Sequence, residues 1–176
     1  MKHFLITAFG EDKPGIVKAV AEILYKHGFN IEDSAMTRLN NEFAIMLIVQ
    51  TDDITKEEDL KRELKALSDS LGLTITVKQI PVEQIQKEKK PKEIINLIVY
   101  GADKPGIVFN VANLLADRGI NISDLRTEKA EDLYVMLIEA ELPQNINLSD
   151  LEEQLQNLKE KLNVDISCKK IDTVEM

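Results

Sequence analysis

Two strings in the chain place hydrogen-bonding groups where a small charged ligand could use them. The first, Gly10-Glu11-Asp12-Lys13-Pro14-Gly15-Ile16-Val17, joins an apolar run to a segment of helical periodicity. Pro14 suits the first helical position, where its missing N–H is no loss. Asp12 is expected to accept a backbone N–H of the opening turn, that of Gly15, and its charge suits the positive helix end. Gly15 lets another group come close to the backbone. The N–H groups of Gly15, Ile16 and Val17 then point out of the helix start, a site for a carboxylate or phosphate. The second string, Gly28-Phe29-Asn30-Ile31-Glu32-Asp33, is read as standing next to that helix start. An amide oxygen at Asn30, or a carboxylate, can accept from an ammonium group. An α-amino acid presents both charges on one carbon. On the residues alone a blander reading has equal standing: Asn30 tolerates the turn after Gly28, and Asp33 is a surface strand residue.

Both strings occur twice. Gly101-Ala102-Asp103-Lys104-Pro105-Gly106-Ile107-Val108 repeats the first at a shift of 91 positions, and Gly119-Ile120-Asn121-Ile122-Ser123-Asp124 repeats the second. From Gly10 to Asp33, 14 of 24 positions recur unchanged, and Leu60, Leu64, Leu67 and Leu71 fall without a gap on Leu151, Leu155, Leu158 and Leu162. The 176 residues are therefore two small domains. Domains of about 80 residues bury only roughly 60% of their unfolded surface, so the copies are expected to gain stability by packing on each other or in a dimer.

Catalytic machinery is absent from this reading. His3 lies at the chain start and His27 at a helix end, where it favours the negative dipole end; neither has a partnered nucleophile or metal-ligand spacing. Glu57, Glu58, Lys61 and Lys65 form a solvated helix face. Gly10 to Gly15 is followed by Ile16 and not by Lys-Ser/Thr, so no Walker-type phosphate loop is present. No enzyme activity, cofactor or metal is expected.

The net charge of −9 argues against direct nucleic-acid binding. The one basic cluster, Lys87 to Lys92, reads as a solvated linker between the copies. The single cysteine, Cys168, matches Val77 of the first copy and reads as a packed small hydrophobe. No apolar run approaches the roughly 18 residues of a membrane span, and the start of the chain does not resemble a signal peptide, so a cytoplasmic protein is expected.

The elements that must position the two strings follow from periodicity. Phe4, Ile6 and Ala8 alternate as a strand, and Pro14 to His27 presents one apolar helical face that Gly28 ends. Asn30–Leu39 and Phe43–Val49 read as a hairpin about Asn40-Asn41. Thr55 with Glu58 makes a capping box for a second helix that Gly72 stops, and Leu73–Ile80 is the last strand. The second copy repeats the order: Ile94–Tyr100, Pro105–Arg118, Asn121–Ala130, Leu133–Glu141, Ser149–Leu162 with a Ser149/Glu152 box, and Asn163–Ile171. Strand–helix–strand twice over gives an α+β fold of two tandem ferredoxin-like (βαββαβ) units, each a four-stranded antiparallel sheet with two helices on one face. The expected boundaries are 1–80 and 94–171 for the domains, 81–93 for a charged linker and 172–176 for a short tail. Some folds of this class stack RNA bases on aromatic sheet residues; with no Trp and aliphatic strands here, the open sheet faces are expected to meet another sheet.

The Gly-x-Asp-Lys-Pro-Gly-Ile-Val string, the Asn-Ile-x-Asp string and the strand order together resemble the ACT domain, a regulatory module for small ligands, often amino acids. Two copies with no attached enzyme look most like the glycine cleavage system transcriptional repressor family. That resemblance implies a sensor of glycine or serine which regulates transcription or metabolism through a protein partner, a transcription factor or an enzyme, without touching DNA. It also implies a ligand site at an interface between two ACT domains, and hence a homodimer through sheets or helices. One domain supplies the loop and helix start, and the other closes the site. By position, the implied ligand-binding residues are Asp12, Pro14, Gly15, Ile16, Asn30 and Ile31, with Asp103, Pro105, Gly106, Ile107, Asn121 and Ile122 in the second copy. After Asp33 and Asp124 the copies diverge, Ser34-Ala35-Met36 facing Leu125-Arg126-Thr127, so they need not bind alike. Two other classes stand beside the sensor: a purely structural adaptor whose sheets build a dimer, and a regulatory subunit of an amino-acid biosynthetic enzyme without its own ligand.

Overall fold

Alternating burial defines the first strand, β1 (Lys2–Glu11): Phe4, Ile6 and Ala8 face a core, while Leu5, Thr7 and Phe9 face the other way. The computed structural model describes residues 1–53, 56–82 and 93–171, which form two compact units. In the first unit β1 is followed by α1 (Ile16–Lys26), β2 (Asn30–Leu39), β3 (Glu42–Thr51), α2 (Glu57–Leu71) and β4 (Thr74–Ile80). The sheet order is β2-β3-β1-β4 with every neighbour antiparallel. A parallel sheet would have contradicted the interleaved strand–helix–strand reading. Both helices cover one face, Val20 and Leu24 of α1 and Leu60 and Leu64 of α2 joining Phe4, Ile6 and Val49 in a single core. Leu60 and Leu64 are 0% and 1% exposed, each worth about 1.5–3 kcal/mol of burial.

The second unit repeats this as β5 (Glu93–Ala102), α3 (Ile107–Ala116), β6 (Asn121–Ala130), β7 (Leu133–Leu142), α4 (Leu148–Leu162) and β8 (Val164–Ile171), in the sheet order β6-β7-β5-β8. The sequence shift is also the shift in register: Phe4 opposite Val49 becomes Ile95 opposite Ala140. A bulge sits at one place in each copy, between Ile31 and Asp33 and between Ile122 and Asp124.

Helix ends account for most departures from the sequence reading. Helix α1 closes as expected through a left-handed Gly28 (φ 69°), with Gly28 N–H donating to Tyr25 O at 3.1 Å and Phe29 N–H to Leu24 O at 2.9 Å. This paired closure buries Phe29 against Phe4, ring centroids 5.8 Å apart. Gly119 and Ile120 repeat it after α3, whose regular turns end at Ala116 and not Arg118. The Ser149/Glu152 box is not the cap of α4: Asn147 is, its Oδ1 accepting from Ser149 N–H at 2.9 Å. The helix therefore begins two residues before the start that the Ser149 cap implied. For α2 the cap position is Lys56, with no side-chain cap hydrogen bond. Thr55 of the expected capping box lies outside the described residues, as do the Lys87–Lys92 cluster and the tail. Cys168 sits half-buried against the second core, as does its counterpart Val77 against the first. Burial pushes its thiol up to about 11.

Candidate functional site

Beyond Glu11 the chain turns before α1. Asp12 N–H donates to Asn41 O at 2.7 Å, fastening the loop to the β2–β3 hairpin, and the Asp12 carboxylate lies 3.6 Å from Arg38 Nη1. The second copy matches this with Lys129 Nζ donating to Asp103 Oδ2 at 2.8 Å. Asp12 and Asp103 therefore tie the loop to the sheet and do not cap the helix. The N-cap is the glycine itself: Gly15 has φ 96° and ψ −8°, Gly106 φ 96° and ψ −3°, and neither helix has a side-chain cap hydrogen bond. Pro14 and Pro105 stand in the turn before the cap, two residues upstream of the first helical position expected for them. A left-handed cap residue requires a backbone that a Cβ disfavours, which only glycine adopts freely.

The first intrahelical bond runs from Ala19 N–H to Gly15 O at 2.9 Å, and from Asn110 N–H to Gly106 O at 2.9 Å in the second copy. The N–H groups of Ile16, Val17 and Lys18 consequently have no intrahelical acceptor. Ile16 and Ile107 are each 2% exposed, so their side chains belong to the core and only their backbone N–H can face a ligand. Val17, which the sequence reading put on the apolar helical face with Ile16, Val20, Ala21 and Leu24, is an exposed apolar side chain instead, as is Val108 in the second copy. A Cβ at Gly15 would meet nothing within 4 Å, so the space before the helix start is open. At Gly106 the same Cβ would lie 3.4 Å from Asn110 Nδ2. Asn110 donates to Gly106 O at 2.8 Å, a side-chain amide at the second helix start where the first copy has Ala19.

The asparagines stand elsewhere. Asn30 opens β2 in register with Gln50, and Gln50 in turn with His3. That row lies at the far end of the sheet from Glu11, eight residues along β1, or about 27 Å. The sequence reading set the Asn30 string beside the helix start, but α1 runs antiparallel to β1 and returns the chain to the opposite end. Within one domain, Asp12, Pro14, Gly15 and Ile16 therefore come together, Asn30 and Ile31 come together, and the two groups do not meet. The second copy divides in the same way.

The two asparagine ends also differ chemically. Asn121 Nδ2 donates to Glu141 Oε2 at 3.3 Å, and Ser123 Oγ to Glu139 Oε1 at 2.9 Å. In the first copy Gln50 replaces Glu141, and Glu32 of the bulge stands 3.2 Å from His3 Nε2. The His3 ring is buried and its Nδ1 has no hydrogen-bond partner. His27 Nε2 lies 3.0 Å from Glu63 Oε1, fastening the end of α1 to α2. Among the described residues no group of three or more His, Cys, Asp or Glu could hold a metal ion. No helix among them is long and apolar enough to cross a membrane.

Comparison with known proteins places this geometry. Residues 2–78 and residues 95–160 each match a family model described as ACT domain. Over 78 residues the chain is 36% identical to a UPF0237 protein of Methanopyrus kandleri, covering 44% of this chain and 87% of that one. Over 172 residues it is 28% identical to the glycine cleavage system transcriptional repressor of Escherichia coli, covering 92% of this chain and 87% of the relative. Among solved structures, an unknown protein from Galdieria sulphuraria superposes with a TM-score of 0.78 at 26% identity, covering 97% of this chain and 99% of that one. A putative glycine cleavage system transcriptional repressor superposes with a TM-score of 0.76 at 24% identity, covering 98% of each chain.

Proposed function

Because the chain belongs to the ACT-domain family and carries two copies of the domain in tandem, we propose that it is a non-enzymatic regulatory protein that senses a small amino acid, glycine or serine first. The observation that supports this is the pair of matching helix starts. Each has a left-handed glycine cap and no side-chain cap hydrogen bond, and its opening N–H groups lack an intrahelical acceptor. Such a terminus accepts a carboxylate through two backbone donors and the positive end of the helix dipole.

Asn30, expected to hold the ammonium group, does not come near the helix start of its own domain. A site using both groups takes Asp12, Pro14, Gly15 and Ile16 from one ACT domain and Asn30 and Ile31, or Asn121 and Ile122, from another. The Asp103, Pro105, Gly106 and Ile107 end is completed in the same way. The output is a protein contact: an acidic chain of net charge −9 acts on transcription or metabolism through a partner and not by holding DNA, and it works in the cytoplasm.

Calorimetry of the full chain against the twenty amino acids tests the reading. Glycine or serine binds the parent, and Asn30→Ala or Asn121→Ala weakens binding about ten- to a hundredfold, the loss of one buried hydrogen bond to a charged group. If the parent binds none at millimolar concentration, or both variants bind as the parent does, the sensor reading fails. An adaptor or enzyme-regulating subunit without its own ligand then takes its place. Purified protein leaves a DNA duplex unshifted at physiological salt; specific sub-micromolar binding without a partner would overturn the indirect mode.

A further inference from the structure

Each asparagine end carries a carboxylate, and the two copies take it from different strands. In the first copy it is Glu32, the bulge residue of β2, which reaches over β3 to lie 3.2 Å from His3 Nε2. Its carboxylate thus stands over the row of Asn30, Gln50 and His3. At the same bulge position the second copy has Ser123, which carries no charge. There the carboxylate is Glu141 of β7, directly opposite Asn121, whose Nδ2 donates to Glu141 Oε2 at 3.3 Å. The first copy has Gln50 in the Glu141 position. The acid has changed strand and kept its place beside the asparagine.

His3 shows how Glu32 is held. The ring opens a strand that continues with Phe4, Leu5 and Ile6, and it is only 6% exposed. Its Nδ1 has no hydrogen-bond partner, so the ring proton belongs on Nε2, where it donates to Glu32. Buried polar atoms almost always have a partner, and an exception calls for a cause. A strand end left to water gains nothing from an imidazole buried behind its carboxylate. The ring fixes the carboxylate in one place, and the two oxygens keep acceptor capacity for a further donor. Glu32 is placed like a group awaiting that donor, its side chain 30% exposed.

We propose that Glu32 in the first copy and Glu141 in the second receive the ammonium group of the ligand, and that His3 and Asn121 position them. This rests on the reading of the chain as an amino-acid sensor and moves the specificity of that site from an amide to an acid. An ammonium group has three donors and no acceptor. A carboxylate adds to the hydrogen bond an attraction of opposite charges that an amide oxygen cannot supply. Asn121 uses its N–H groups to hold Glu141, as His3 uses its own to hold Glu32. The ligand class is then one with a free ammonium group beside its carboxylate. Glycine fits it, and glycolate, the hydroxy acid of the same shape, does not.

Calorimetry of the full chain with glycine, serine and glycolate tests the assignment. The parent binds an amino acid and not glycolate. Glu32→Gln weakens the sites built on the first copy's asparagine end about ten- to a hundredfold, and Glu141→Gln those built on the second. Both keep the circular dichroism spectrum of the parent, since glutamine keeps the length and an acceptor oxygen. Glu32→Gln combined with Gln50→Glu regains the affinity, because it moves the acid to the place that Glu141 holds; a Glu32 that only shaped the bulge could not be rescued from another strand. His3→Gln weakens the first site and adds nothing to Glu32→Gln, because it acts through that carboxylate. A parent that binds no amino acid removes the sensor reading and the assignment together. If the parent binds, the assignment alone is overturned by glycolate binding equally well, by either glutamine variant binding as the parent does, by a failed rescue, or by additive losses from His3→Gln and Glu32→Gln.

Discussion

The left-handed cap at Gly15 permits a prediction whose magnitude follows from its geometry. Gly15→Ala adds a Cβ that meets nothing within 4 Å, so no packing term enters. What remains is the backbone penalty for an L-residue at φ 96°, about 1–2 kcal/mol. The lower chain entropy of alanine in the unfolded state offsets less than this wherever φ is positive. The first unit should thus lose about 1–2 kcal/mol, which for a domain of this size lowers its melting temperature by roughly 5–15 °C. Urea unfolding followed by circular dichroism is the assay, with the slope unchanged because the surface exposed on unfolding is unchanged. Gly15→Asn loses about half as much, since asparagine tolerates the left-handed region. Gly106→Ala loses slightly more in the second unit, its Cβ lying 3.4 Å from Asn110 Nδ2. If Gly15→Ala unfolds within about 0.3 kcal/mol of the parent, or Gly15→Asn falls as far as alanine, the penalty is not conformational and the reasoning fails.

Leu64→Ala and Leu155→Ala, at side chains 1% and 3% exposed, each leave a cavity in one core and lower the stability of that unit by about 2–5 kcal/mol, which urea titration resolves. Cys168, its thiol raised to about 11 by burial and by the Glu152 charge, reacts with iodoacetamide at pH 8 roughly a hundredfold more slowly than a free cysteine. The same shift carries a sign. The raised thiol contributes stability in full below about pH 9 and loses it as pH climbs through about 11, so Cys168→Ala flattens the alkaline limb of the stability profile. Glu131 holds the hairpin position φ 54° that Asn40 holds in the first copy; Glu131→Asn therefore raises the melting temperature of the second unit, by about 0.5–1 kcal/mol in stability.

What could be read from the chain was what repeats or alternates. Phe4, Ile6 and Ala8 against Phe43, Ile45 and Leu47 give strands with one buried face, and the gapless leucine series gives the second helix of each copy. The candidate site was legible in its parts and not in its assembly. Pro14-Gly15 signals a helix start, but glycine fits either side of the φ axis, so the left-handed cap and the upstream placement of Pro14 left no mark. Arg38, the partner of Asp12, comes from the far end of a hairpin 26 residues on, and a local reading assigned the aspartate to the nearest N–H instead. The separation of Asn30 from Gly15 follows from the antiparallel return of α1. Closeness in sequence concealed it. The bulges have no composition signal at all, Glu32 and Ser123 being unlike each other.

Those bulges bear on how the protein stays dispersed. Strands β2 and β6 stand at one edge of their sheets and all but one of their residues are exposed, leaving a row of backbone donors and acceptors on the outer edge. A straight, flat row of that kind is a template for endless strand addition, the growth mode of amyloid fibrils. One extra residue near the start of each strand breaks the even spacing of that row and increases the local twist. An incoming strand that matches the residues after the bulge falls out of step with those before it. The guard against fibril growth is thus set at the same place on both sheets, and straightening either edge by deleting Glu32 or Ser123 would remove it there.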